Sequence, residues 1–251
     1  MENKFVVNII HRPELSPEYA EKALGKGKGV REESLDIFRF QQDCAHKYGL
    51  KTTIQINYRA GFFTHYAGAG TIKSCKVHFR GESADLCLCR TMAKYDKIPD
   101  GVRLTANPVT VNLGGKDIVI QSIYTILEGE GKLITQRNIL NDLGGEAVTF
   151  EEYFTGAFGT TEYQADMTKL TLGVDGESMP YTYHGRTIEK AAAQRAYVTI
   201  PDVLTTVEMG GDNDTAAVSE GIAFSPVYQL KLTKTIQEGG VTTWLKLQKA
   251  N

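Results

Sequence analysis

Three cysteines and one histidine crowd into the segment CKVHFRGESADLCLC, whose Cys75, His78, Cys87 and Cys89 are all residue types that bind zinc. The spacing matches none of the usual structural-zinc patterns. In SCKVHFR, strand alternation places Cys75 and His78 on opposite faces. We therefore interpret the segment as a β-hairpin that turns at GES (81–83), packs its cysteines inward and binds no metal. A zinc site and a Cys87–Cys89 redox pair remain the less favoured alternatives.

A second group of candidate residues follows two predicted strands near the start of the chain. One strand leads into HRPE and the other into NYR. In parallel α/β structures, ligands collect beyond the carboxyl ends of the strands. His11 could act as an acid or base, and the arginines could hold anionic groups. The alternative is that these are ordinary loop residues. The predicted site consists of His11 as the catalytic residue and of Arg12, Asn57, Tyr58 and Arg59 as substrate-binding residues.

The elements that would position this site form a predicted βαβ unit. FVVNII (5–10) is apolar and β-branched, as a buried strand would be. The segment 32–49 predicts a helix, because Leu35, Phe38 and Ala45 share one stripe and a glycine follows its end. LKTTIQINY (50–58) alternates as a second strand. We expect the crossover between the two strands to be right-handed.

From residue 100 onward the pattern changes to short strand-like runs separated by glycine-rich turns, among them Asp175-Gly176 and Gly210-Gly211. Many short strands at close spacing predict an antiparallel sandwich or barrel. Three stretches predict helices instead: 135–144, 150–158 and 187–195. The predicted fold class is therefore α+β, with a βαβ layer at 1–60, a connecting hairpin region at 61–100 and a sandwich-like domain at 101–251.

Composition narrows the functional classes. The net charge of the 251 residues is −2, so we expect no general attraction to nucleic acid or to acidic membranes. The charge is uneven: residues 1–100 carry 16 Lys and Arg against 12 Asp and Glu, and residues 101–251 carry 12 against 18. No apolar run approaches the roughly 18 residues of a membrane helix. The start does not resemble a secretion signal, and we expect a cytoplasmic protein with reduced thiols and no cofactor.

Residues 4–58 resemble the opening of β/α-barrel proteins of the polysaccharide deacetylase and related glycoside hydrolase type. The similarity rests on FVVNIIHRPEL as a first strand with a polar tip, and on FRFQQDCAHKYGLKTTIQIN as a helix leading into a second strand. It implies carbohydrate chemistry, with β-sandwich domains downstream. The aspartate and His-x-x-x-His metal ligands of the deacetylases have no counterpart here, so no catalytic residue is transferred.

The function that these observations favour is carbohydrate-associated: a protein that binds or processes a glycan through the strand-end residues. Gly-x-Ser-x-Gly and His-Glu-x-x-His motifs are absent, so the sequence leaves open whether the protein is an enzyme. Six aromatic residues in the β-rich part could stack on sugars or fill the core: Tyr153, Phe154, Phe158, Tyr163, Tyr181 and Tyr183. The alternative is a non-enzymatic phage or virion structural protein that assembles through strand edges, and homo-oligomerisation stays open.

Overall fold

Antiparallel strands dominate the structure, a computed structural model. It describes residues 4–11, 36–43, 52–56, 70–86, 93–127, 130, 132–157, 169–182, 184–200, 205–221 and 227–249. These ranges contain nineteen strands and no α-helix, and so no helix long and apolar enough to cross a membrane. The strands are β1 (Lys4–His11), β2 (Asp36–Asp43), β3 (Thr52–Ile56), β4 (Gly70–Phe79), β5 (Glu82–Asp85), β6 (Ala93–Ile98), β7 (Gly101–Ala106), β8 (Val109–Leu113), β9 (Lys116–Leu127), β10 (Lys132–Ile139), β11 (Val148–Ala157), β12 (Thr171–Val174), β13 (Glu177–Pro180), β14 (Thr187–Ala191), β15 (Arg195–Ile200), β16 (Thr205–Gly211), β17 (Thr215–Gly221), β18 (Val227–Ile236) and β19 (Gly240–Lys249).

The first three strands form a small sheet in the order β1-β2-β3, and they correct the predicted βαβ unit. Where a helix was predicted over 32–49, Asp36–Asp43 form a strand that pairs antiparallel with both neighbours. Its sequence, DIFRFQQD, alternates between apolar and polar residues over 38–41 and contains one β-branched and two aromatic residues. Periodicity alone cannot assign so short a run. Two strand partners can satisfy its backbone groups on both sides, which favours the strand.

The other strands form two sheets that pack face to face as a sandwich, which confirms the predicted antiparallel β-rich body. One sheet has ten strands in the order β13-β12-β15-β16-β19-β10-β9-β7-β6, with β8 also paired to β9. The second has six strands in the order β14-β17-β18-β11-β4-β5. Residues from both sheets form one buried apolar cluster, including Val77, Phe150 and Leu230 from the smaller sheet and Val198 and Met209 from the larger. Burial of this shared layer drives the sheets together.

The three helices predicted within the β-rich body are wrong. The segments 135–144, 150–158 and 187–195 overlap β10, β11 and β14. In β10 the burial alternates strictly, with Leu133, Thr135 and Arg137 facing inward. Polar residues at two of these inward positions obscure the period-two pattern in the sequence, so a helix could be inferred where a strand forms.

The hairpin predicted for the cysteine segment is confirmed where it is described. Strands β4 and β5 pair through a two-residue turn at Arg80 and Gly81, one residue earlier than predicted. Both turn residues have positive φ angles, 49° and 78°, as a type I′ turn requires. Cys75 is buried in the core and His78 lies on the opposite face. Cys87 and Cys89 lie outside the described residues, and no group of three metal-ligating side chains occurs within the described ones.

A buried ion pair joins the two sheets inside the sandwich. Arg137 of β10 donates from Nε to Oε1 of Glu152 on β11 at 2.7 Å, and both side chains are almost fully buried. Its Nη1 donates to Ser122 Oγ and to Tyr124 Oη, each at 2.7 Å. Burial alone would lower the pKa of Arg137, but the adjacent Glu152 carboxylate more than reverses this effect. The guanidinium therefore stays charged in the core.

A second buried carboxylate, that of Glu220 at the end of β17, anchors the chain that passes from the larger sheet to the smaller. It accepts hydrogen bonds from the backbone amides of Thr182 (2.7 Å), His184 (3.0 Å) and Arg186 (3.2 Å). The Arg186 guanidinium adds an ion pair at 3.0 Å. Burial would raise the pKa of Glu220, but these hydrogen bonds outweigh it and the pKa is lowered.

Candidate functional site on the outer face of the larger sheet

The outer face of the ten-stranded sheet presents side chains that the core does not use. Because side chains alternate along each strand, Leu245 faces the core while Trp244 and Lys246 face outward. Likewise, Ala196 and Val198 face the core and Tyr197 faces outward. Trp244 is the only tryptophan of the chain, and both aromatic side chains are partly exposed.

Two glycines leave room for these aromatic rings to lie against the sheet. A Cβ on Gly210 would lie 2.5 Å from Trp244 Cζ2, and a Cβ on Gly173 would lie 2.3 Å from Tyr197 Cζ. Real side chains do not approach so closely, so only glycine allows each ring its position. We call Trp244 and Tyr197, lying over Gly210 and Gly173, the aromatic platform.

Polar groups border the aromatic platform. Glu208 pairs directly with Tyr197 across β16 and β15, and its carboxylate receives a short hydrogen bond from Arg195 Nη1. The guanidinium carbon of Arg195 lies 5.7 Å from the centroid of the Tyr197 ring. Thr199 and Thr206 share a hydroxyl–hydroxyl hydrogen bond of 3.1 Å on the same strands. The glutamate is 6% exposed, so the outer face holds an acidic group beneath the arginine.

Two lysines lie on the other side of the tryptophan. Lys246 is two residues from Trp244 and therefore shares its face, and Lys132 is the cross-strand partner of Lys246. Lys132 Nζ lies 5.6 Å from the centroid of the Trp244 ring, a cation–π distance. The site thus combines aromatic surface with charged and hydroxyl groups at its border. Such a surface suits a ligand that is flat and apolar on one side and carries polar groups at its edges.

Gly173→Ala is expected to displace the Tyr197 ring and to lower the free energy of unfolding by about 1 kcal/mol, the low end of the cost of extra volume, because the ring tip can move toward solvent. The added methyl group overlaps the Tyr197 ring, which must move. Gly176→Ala in the same hairpin is the matched control, because a Cβ there meets nothing within 4 Å. Urea unfolding measures both variants, and near-ultraviolet circular dichroism reports the ring. Equal stability of the two variants would contradict the close contact.

Most residues of the site predicted from the sequence lie outside the part of the chain that the structure describes. His11 ends β1, where its backbone pairs with Asp36. The other predicted residues, Arg12, Asn57, Tyr58 and Arg59, are outside the described ranges. Because β2 runs antiparallel to both neighbours, β1 and β3 run in the same direction. His11, which ends β1, and the last residue of β3 therefore lie at the same end of the small sheet, near the start of β2. The strand-end site stays a prediction.

The histidine of the cysteine segment takes part in a different cluster, on the outer face of the smaller sheet. His78 Nε2 lies 2.8 Å from Glu151 Oε2, and Tyr153 Oη donates to the same oxygen at 2.6 Å. Burial would raise the pKa of Glu151, but the hydrogen bonds from Tyr153 and His78 lower it. The pKa of Tyr153 is raised by the burial of its own side chain and by its hydrogen bond to Glu151. The histidine is therefore held by a carboxylate, on the face away from Cys75.

The two platform rings are not among the six aromatic residues that the sequence singled out as candidates. Of the six candidates, Phe154 and Tyr181 are buried in the core, and Tyr153 bonds to Glu151. The other three, Phe158, Tyr163 and Tyr183, lie outside the described residues. One signal was available: Gly210-Gly211 was predicted as a turn, yet both glycines lie within β16. A glycine inside a strand often marks the close approach of another group.

The chain matches no protein-family model and no curated protein. Its fold, however, is similar to several solved structures. A galactose mutarotase related enzyme from Lactobacillus acidophilus is 6% identical with a TM-score of 0.51, over 88% of this chain and 97% of that one. The α-N-acetylgalactosaminidase NagBb from Bifidobacterium bifidum, in complex with GalNAc, is 12% identical with a TM-score of 0.52, over 88% of this chain and 35% of that one. The 4-α-glucanotransferase from Thermococcus litoralis is 11% identical with a TM-score of 0.50, over 98% of this chain and 40% of that one.

These similarities concern the fold, and they correct the resemblance inferred from residues 4–58. The fold is of the galactose mutarotase type, a β-sandwich, and not the β/α-barrel of the polysaccharide deacetylases and related glycoside hydrolases. A β/α-barrel is built from parallel strands, whereas all strand pairs among the described residues are antiparallel. The sequence of the first strand and the segment after it satisfies both architectures locally, which explains the misleading resemblance.

Proposed function

We propose that this protein binds a carbohydrate on the aromatic platform of the ten-stranded sheet. The observation that carries the proposal is the pair of partly exposed rings, Trp244 and Tyr197, each laid against the sheet by a glycine and bordered by polar side chains. Pyranose rings offer apolar C–H surfaces to an aromatic face and hydroxyl groups to the groups around it. Arg195 and Glu208 supply a donor and an acceptor next to Tyr197.

The similar folds support this proposal. The names of the three similar structures refer to galactose, N-acetylgalactosamine and glucan chemistry, and one of them was solved with the sugar GalNAc. A shared fold does not fix a shared function, so the residues of the platform carry the proposal and the fold only supports it. We propose binding, and no catalytic step is assigned to the described residues.

The test is isothermal titration calorimetry against glycans selected on a glycan array, with Trp244→Ala as the variant. We expect binding to weaken about tenfold, because a stacking contact of about 1.4 kcal/mol corresponds to that factor. Tyr197→Ala should also weaken glycan binding. Thermal unfolding of each variant establishes that it is folded before its affinity is compared.

The matched control is Tyr153→Ala, since Tyr153 is also a partly exposed tyrosine but lies on the outer face of the smaller sheet. It should leave glycan affinity unchanged. If Trp244→Ala and Tyr153→Ala bind equally well, the platform is not the site. The strand-end residues His11, Arg12, Asn57, Tyr58 and Arg59 are a separate proposal, and Arg59→Ala in the same titration tests it.

A further inference from the structure

We propose that the ligand of the aromatic platform is an anionic sugar, one that bears a carboxylate, sulfate or phosphate group, and that Lys132 and Lys246 bind this group. The inference rests on the proposed function and narrows its ligand class. It starts from the position of the two lysines, which face each other directly on the adjacent antiparallel strands β10 and β19.

Like charges directly opposite each other on neighbouring strands destabilise a sheet. The described residues do little to offset this repulsion. Lys132 Nζ lies 4.0 Å from Glu130 Oε2, but that glutamate is 59% exposed, and such pairs contribute little. No ion pair involves Lys246 within the described part of the chain. Glu208, which faces Lys246 across β16 and β19, is already bonded to Arg195.

The charge around Trp244 is also opposite in sign to the net charge of residues 101–251. Residues 101–251 carry a net charge of −6, from 12 Lys and Arg and 18 Asp and Glu. Around the tryptophan the balance is reversed by one charge: the three cationic side chains of Lys132, Lys246 and Arg195 lie near the two carboxylates of Glu208 and Glu130. A local excess of positive charge favours association with anions.

The geometry suits one anionic group held by both ammonium groups. Directly opposite residues on antiparallel strands have Cβ atoms about 4.5–5.5 Å apart. Two lysine side chains that start from this spacing can converge on one phosphate, sulfate or carboxylate. The ammonium group of Lys132 is 5.6 Å from the Trp244 ring centroid. A sugar stacked on the tryptophan would therefore place its charged substituent within reach of the lysine pair.

The experiment compares matched neutral and anionic ligands by the fluorescence of Trp244. Because the chain has a single tryptophan, its emission reports on the platform alone. The pairs are methyl-esterified oligogalacturonide with oligogalacturonide, dextran with dextran sulfate, and glucose with glucose 6-phosphate, which separates carboxylate, sulfate and phosphate. Inorganic phosphate alone is the fourth arm. All titrations use physiological salt, so that long-range attraction between exposed charges is screened.

We expect the anionic member of at least one pair to bind roughly tenfold more tightly, the effect of about one charge-assisted hydrogen bond. The Lys132→Gln/Lys246→Gln double variant should lose that preference, so that it binds the neutral and the anionic member of the pair with similar affinity. Lys231→Gln on the smaller sheet, where the lysine pairs with Glu189, removes a positive charge elsewhere and should change nothing.

Equal affinity for the neutral and anionic members, or a preference that survives in the double variant, would overturn the inference and leave the proposed function intact. Binding of inorganic phosphate as tight as that of the sugar phosphate would also overturn it, because the sugar would then add nothing. If no glycan of either kind changes the fluorescence or the calorimetric signal, the proposed function fails together with the inference.

Discussion

Arg137→Met is expected to lower the free energy of unfolding by about 3–5 kcal/mol, the usual cost of removing one partner from a buried ion pair. The variant leaves the Glu152 carboxylate charged inside the sandwich with its main partner gone. It also removes the donor to Ser122 and Tyr124. Urea unfolding followed by circular dichroism measures the loss of stability. The spectrum of the variant at low urea must match that of the folded wild type for the two free energies to be compared.

The double variant Arg137→Met/Glu152→Leu separates the cost of an orphaned charge from the net value of the pair. Replacing both partners by apolar residues is often neutral or stabilising, so the double variant should recover most of the loss. Arg80→Met is the matched control: it breaks an Arg–Glu pair with Glu146, but that pair lies at the surface. Its stability should stay close to that of the wild type. If the double variant is as unstable as Arg137→Met, the loss of stability does not come from the unpaired carboxylate, and the ion pair itself holds the sheets together.

Glu220→Gln is expected to destabilise the protein by roughly 2–3 kcal/mol at neutral pH, because hydrogen bonds to a buried charged group are strong and leaving their donors unsatisfied is costly. The amide nitrogen of the new side chain would face backbone N–H groups that now donate to a carboxylate. Chemical unfolding at pH 7 gives the difference. Glu189→Gln, which alters an exposed ion pair with Lys231, serves as the control and should have little effect.

The same carboxylate predicts a pH dependence. The pKa of Glu220 is lower in the folded protein than its ordinary value of 4.5, so the unfolded chain binds the proton more readily. The stabilisation is therefore complete above pH 4.5 and decreases as the pH falls through the folded pKa. We expect the stabilities of the wild type and of Glu220→Gln to converge below pH 4.5. Parallel pH profiles would contradict a role for this carboxylate in acid sensitivity.

The β-rich body could be predicted because its turns carry specific residues. Asp175-Gly176 joins β12 to β13 as predicted, with Asp175 at a φ of 43° that aspartate tolerates better than most residues. The hairpin of β4 and β5 was predicted from the same kind of signal together with alternation. Strands whose inward positions are polar, such as Arg137 in β10, escaped prediction because their sequence lacks the apolar alternation that identifies a half-buried strand.

The candidate site could not be predicted because its residues are distant in sequence. Gly173, Tyr197, Gly210 and Trp244 come from four strands and meet only through the order of the sheet. No short motif contains them. The segment VTTWLKLQ does alternate, with Trp244 and Lys246 on one side, but a single tryptophan on a polar face does not by itself reveal the glycine opposite it.

The position of β19 has a consequence for how the larger sheet folds. This strand comes last among the described strands, yet it lies in the middle of the ten-stranded sheet, between β16 and β10. Until β19 pairs with them, the halves β13-β12-β15-β16 and β10-β9-β7-β6 have unpaired edges at β16 and β10. Such edges are prone to aggregation, and contacts between residues this distant in sequence form slowly. The larger sheet is therefore expected to close only when β19 pairs with both halves, which makes this strand the late step in its folding.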